Sequence, residues 1–279
     1  MPAVELPLTD PLRTLPAWTE CLLAAEIPVM AATAEALEAL RTNEDDVDAN
    51  LLGEMIASDP LMTLKVLIHA GGQRSRRRVT DTETVTAALV MMGISPFFTA
   101  FAAQPTIEQA LQDSPEALAG LNEVLRRAHR AANFALGFAV RRMDHDAAVI
   151  HQAALLHDFA EMLLWCHAPA LALRIHQAQR TDPTLRSSTI QLEVLNIELR
   201  DLQQSLMQAW RLPELLVRIT DDRHAQHPSA KSVVLAIQLA RHTAKGWDNA
   251  AIPDDVHDIA QLLNLSDGAT LQLLNELDT

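Results

Sequence analysis

Residues 121–143 read LNEVLRRAHRAANFALGFAVRRM. Leu121, Val124, Leu125, Ala128, Ala132, Ala135, Leu136, Ala139, Val140 and Met143 recur at three- and four-residue steps, which puts them on one stripe of a helix. The same spacing returns over 33–40, 51–57, 61–70, 85–92, 147–164, 169–179, 190–210, 213–220, 232–244 and 254–263. Alanine, leucine and glutamine are abundant, and alternating β-branched runs are scarce. The sequence therefore predicts an all-α protein. Its punctuation is helical as well. Ser58-Asp59-Pro60 ends one helix and opens the next, with Pro60 in a first turn where its missing N–H costs nothing. Ser114-Pro115-Glu116, Ala168-Pro169 and Asp182-Pro183 act alike, and Ser266-Asp267-Gly268 separates the last two helical stretches.

The chain has 279 residues, 49% of them hydrophobic, which is enough for one large domain or two small ones. Lys and Arg number 22 against 36 Asp and Glu, a net charge of −14. That balance argues against a molecule that coats nucleic acid or an anionic membrane. Residues 253–279 hold six acids and no Lys or Arg, so the terminal helices are no nucleic-acid reader. Two cysteines, Cys21 and Cys166, cannot build a disulfide framework, and no stretch is long and apolar enough to span a bilayer. The first residues lack the basic start of a secretory signal, and the expected location is the cytoplasm.

Composition shifts between 105 and 113, where short apolar runs give way to the long amphipathic helix. This predicts an N-terminal arm over 1–16, a helical lobe over 17–110, a second lobe over 114–250 and a C-terminal helical extension over 251–279. The most distinctive chemistry is Ala153-Ala154-Leu155-Leu156-His157-Asp158, a His-Asp pair on an apolar helix. Burying both groups is costly unless they are engaged. A divalent metal is one engagement, since it takes neutral imidazole and carboxylate together. A hydrogen bond within the core is the other. His129, on the helix before, is the nearest candidate to join the pair, and His145 and His151 flank the expected turn. His224 and His227 follow Asp221-Asp222 in a polar run. His69, ending an apolar helix, suits the last carbonyls there. The basic run of Arg74, Arg76, Arg77 and Arg78 is a candidate contact for an anion or an acidic partner. There is no G-x-S-x-G nucleophile elbow and no phosphate loop.

These residues resemble a known family. Ile27-Pro28, then Leu52, Ile56, Asp59-Pro60-Leu61 and Lys65-Val66-Leu67, then Ala87 and Met91-Met92-Gly93, are similar to the first lobe of the HDOD domain. His129, Leu155-Leu156-His157-Asp158 and Trp210-Arg211-Leu212-Pro213 resemble its second lobe. The resemblance covers roughly 27–245 and implies an HD-like helical core in that lobe. It also implies a bacterial signal-transduction module, generally non-catalytic, that works through a protein partner or a nucleotide-like small ligand and needs no cofactor. HD-superfamily phosphohydrolases hold a metal with a first His, the His-Asp pair and a distant Asp, which His129, His157 and Asp158 match in part. The distant Asp would fall near Gln238–Arg241, where no acid stands, and the Gly-Lys after the catalytic pair becomes Ala160-Glu161. The alternative reading is a metal-dependent phosphohydrolase acting on a nucleotide or cyclic dinucleotide. It would use Fe, Mn, Zn or Mg on those three residues, with His224 or Asp222 as a fourth, and the metal would activate a water.

Overall fold

In a computed structural model, the described residues are 7–72, 83–182, 184–221 and 228–278. Arg74, Arg76, Arg77, Arg78 and His224 lie outside them. The helices run in order as α1 Leu15–Ala24, α2 Ala31–Arg41, α3 Ala49–Ala57, α4 Pro60–Gly72, α5 Val85–Met92, α6 Ile94–Ala100, α7 Ile107–Ala110, α8 Pro115–Arg142 and α9 Ala147–Leu155. There follow α10 Phe159–His167, α11 Pro169–Thr181, α12 Ser187–Leu195, α13 Leu199–Ala209, α14 Glu214–Ile219, α15 Pro228–His242, α16 Ile252–Leu263 and α17 Asp267–Leu277. Among the described residues the β pairing is one isolated bridge, Val29 with Thr106. The fold is all-α.

Two compact units form, and they interleave along the chain. The first takes the residues up to Val124 together with Asp158–Leu212, and the second takes Leu125–His157 together with everything from Pro213 on. The boundary thus falls inside α8, and segments from both sides of the 105–113 composition shift belong to the first unit.

In the first unit Asp59 is the main organiser. It is fully buried. Its Oδ1 accepts the N–H groups of Leu61 (2.8 Å) and Met62 (3.1 Å), capping α4, and its Oδ2 accepts the Met30 N–H (2.8 Å) at the start of α2. One carboxylate therefore satisfies orphan donors of two helix starts. Lys65, one turn further along α4, donates from Nζ to the Ile27 carbonyl (2.8 Å) and to Gln104 Oε1. Burial holds this ammonium below its ordinary pKa, while Glu26 and Asp59 oppose the shift. Gly71 lets the end of α4 meet the turn after α13: a Cβ there would lie 2.7 Å from the Trp210 carbonyl oxygen. Gly93, at φ 84°, closes α5 and opens α6 in a conformation that favours glycine. Residues ahead of α1 are packed as well, with Leu8 buried and its N–H bonded to the His167 carbonyl at 2.7 Å.

Three expectations from periodicity are corrected. The stretch 190–210 is two helices, because Asn196 adopts the left-handed conformation (φ 64°) and stops α12. The stretch 147–164 is also two helices. α9 ends at Leu155, and Leu156-His157-Asp158 forms a turn with near-zero ψ at Leu156 and ψ 24° at Asp158. The His-Asp pair therefore sits at a helix junction. Finally, the buried stripe of α8 leaves the expected line in its second half. Phe134 and Phe138 are fully buried and stack with ring centroids 6.5 Å apart, while Val140 is 63% and Met143 85% exposed. The two phenylalanines offer more apolar area to bury, and they set which face turns inward.

In the second unit α9 packs against α14 and α15, α15 against α16, and α16 against α17. Every buried residue of α15 is apolar or a serine.

Candidate functional site

The histidines of interest stand on successive elements of the second unit. His129 is on α8, His151 on α9, and His157 is buried in the turn that follows α9. Sequence reasoning placed His151 beside the turn before the His-Asp helix; it lies within α9 instead. Burial holds the His151 imidazole below its ordinary pKa, and the neighbouring His129 lowers it further. The structure thus brings His129 and His151 together. The two are at unequal distances from the turn between α8 and α9, so hairpin register gave no signal of the pairing. His145, by contrast, is exposed in that turn.

Asp158 occupies the N-cap position of α10. Its carbonyl accepts the Glu161 N–H (3.0 Å) and the Met162 N–H (3.1 Å), and its carboxylate makes no cap bond. Asp158, like His129 and His157, makes a further interaction. The next two positions after Phe159 are a buried Ala160 and Glu161, in the first turn of α10. Among the described residues no group of three or more His, Cys, Asp or Glu is arranged to hold a metal ion. His224 and Asp222, which the sequence offers for a fourth ligand, lie outside the described residues.

Other titratable groups serve the core. Cys166 is buried and its thiol is pushed up to about 12, by desolvation first and by Asp59 second, so it is no nucleophile. His167 is buried, its pKa held down to about 4 by desolvation. His69 sets its ring edge-on to Phe101 at 5.3 Å. Two surface features escaped sequence reasoning. Val90 and Met91 on α5 are 65% and 51% exposed. An open, largely apolar groove of about 510 Å³ lies along α1, lined by Leu15, Pro16, Thr19, Glu20, Leu23 and Ala24 with Ser205 of α13.

The HDOD domain family profile matches residues 27–226. The chain belongs to the HDOD family. The solved structures it is similar to include the MmoQ response regulator from Methylococcus capsulatus strain Bath, with a TM-score of 0.66 and 19% identity. That likeness covers 90% of this chain and 99% of the other. A virulence factor from Campylobacter jejuni is also similar, with a TM-score of 0.63 and 16% identity, covering 95% of this chain and 98% of its own. At these identities the likeness speaks for the fold. No curated protein gives a match.

The HDOD match ends before α15, so α15, α16 and α17 lie beyond it. Within it, the motif residues read as construction. Asp59 fastens two helix starts, Lys65 ties the connecting segments that hold Ile27 and Gln104, and Gly93 turns the chain. The Trp210–Pro213 segment is a helix stop in which Arg211 takes φ 55°, Leu212 N–H bonds the Met207 carbonyl and Arg211 N–H that of Gln208. That is a Schellman motif with arginine at the left-handed position. The Trp210 ring packs on Phe159 at 5.8 Å. No helix among the described residues is long and apolar enough to cross a membrane.

Proposed function

We propose that this HDOD chain is a non-catalytic signal-transduction or scaffold module that works by binding a protein partner or a small ligand. The observation that carries the reading is the composition of α15. The resemblance to HD-superfamily phosphohydrolases would draw the distant metal-binding acid from this helix, and its buried residues are all apolar or serine. Gln238 and Arg241 are exposed, on the opposite face. Ala160 and Glu161 also stand where a phosphate-binding Gly-Lys would follow the His-Asp pair, and a carboxylate repels a phosphate. The exposed Val90 and Met91 and the groove along α1 offer apolar surface for binding. On this reading His129, His157 and Asp158 are kept as engaged polar groups of the fold, and the chain works in the cytoplasm.

The competing reading is a metal phosphohydrolase. The full chain should be assayed on bis-(p-nitrophenyl) phosphate and on cyclic dinucleotides, with and without added Mn²⁺. The expected result is turnover no faster than buffer in every case. A Mn²⁺-dependent rate that His157→Ala abolishes would overturn the proposal.

A further inference from the structure

The last helix is attached in an uneven way. Of the eleven residues of α17, only Thr270 and Leu274 are buried, and the Thr270 hydroxyl is buried without a hydrogen-bond partner. An unsatisfied hydroxyl works against docking. The polar contacts that favour docking gather at the far end of the helix. Asp278 accepts from Arg130 through two parallel bonds, Nε to Oδ1 at 2.7 Å and Nη2 to Oδ2 at 2.8 Å. Its Oδ2 also accepts the Trp247 indole N–H at 3.1 Å, and Arg130 Nη2 donates to Thr243 Oγ1 at 2.9 Å. The Asp278 side-chain carboxylate thereby ties α8 to the segment before α16, in the paired geometry that makes arginine–carboxylate bonds strong, and Arg130 in turn reaches Thr243 just past the end of α15. Beside it, Leu277 sits on Gly137, where a Cβ would come within 2.4 Å of its methyl carbon. At the near end the chain pivots at Asn264, left-handed at φ 53°, and restarts at the Ser266 cap.

A helix with one buried leucine in its middle, a polar catch at its tip and a short pivot at its base has the construction of a movable part. The catch residue Arg130 is the immediate chain neighbour of His129. We propose that α17 is a latch, docking and undocking as a unit about Asn264–Ser266, with Asp278 as its catch. Closing it fixes the turn of α8 that carries His129. This inference rests on the second unit's own contacts and is independent of whether the module binds a protein or a small ligand.

Amide hydrogen exchange on the full chain tests it. In the wild type, α17 should exchange well ahead of α9 and α15. In Asp278→Asn, exchange of α17 should rise a further ten- to hundredfold or so, the cost of losing a charge-assisted pair, while α9 and α15 stay unchanged. The imidazole NMR signal of His129 should shift in the same variant. The proposal is overturned if wild-type α17 is as protected as α15, or if the substitution loosens the whole second unit in step. An unmoved His129 signal on release of α17 would overturn the coupling to α8. Should Asp278→Asn not fold, the wild-type exchange pattern tests the mobility of α17, and Trp247→Phe tests the catch and its coupling to His129 by the same readouts.

Discussion

Asp59 and His167 show how much of the first unit depends on single buried side chains. Asp59 accepts three backbone N–H groups from two helix starts. Asp59→Ala leaves those donors buried and unpaired, and it should lower unfolding free energy by about 2–4 kcal/mol, read from urea denaturation. His167 predicts a pH dependence. Its folded pKa of about 4 lies below the ordinary 6.5, so the unfolded chain binds the proton first as pH falls. Stability should therefore be complete above pH ~6.5 and be lost down to pH ~4, by about 3 kcal/mol in total. His151, also held down, adds to the same slope. His167→Phe should make the decline shallower; an unchanged slope would show that His167 does not carry it. The His-Asp pair was legible in the sequence because adjacent polar groups stand out in an apolar run. The His129–His151 pairing was not, since nothing local in either helix reports it.

Helix content was legible because apolar spacing reports directly on a face that must be buried. Helix ends were legible only where proline or glycine marks them, as at Pro60, Pro115 and Gly93. The stop at Asn196 and the Leu156–Asp158 turn went unmarked, because residues compatible with a helix are held out of it by backbone conformation and packing, whereas Pro213 marks the stop at Arg211. Those positions carry predictions. Asn196 stops α12 in the left-handed region and donates from Nδ2 to the Leu12 carbonyl at 3.2 Å. Asn196→Ala should cost about 1–2 kcal/mol. Arg211→Gly relieves the same conformation and should raise stability by up to about 1 kcal/mol, since its left-handed site suits glycine. Gly71→Ala meets backbone carbonyl oxygens at 2.7 and 2.9 Å that cannot swing away, and should cost about 1–3 kcal/mol. Paired thermal melts of the three variants against wild type check the signs.

At the scale of the molecule, the two units interleave, with the first closed by a segment that returns after the second has begun. Composition along the chain marks where local character changes, whereas the units are set by contacts between distant segments, so a composition shift carries no trace of the return. The family was legible because its motifs are spread through the chain in order. In the function proposed above, this HDOD chain binds without turnover and keeps its His-Asp pair as part of the fold. Metal content of the purified full chain, after expression in medium containing iron, manganese and zinc, tests that directly. We predict well under one equivalent of any of them, the same in wild type and His157→Ala. About one tightly held equivalent, lost in His157→Ala, would contradict it.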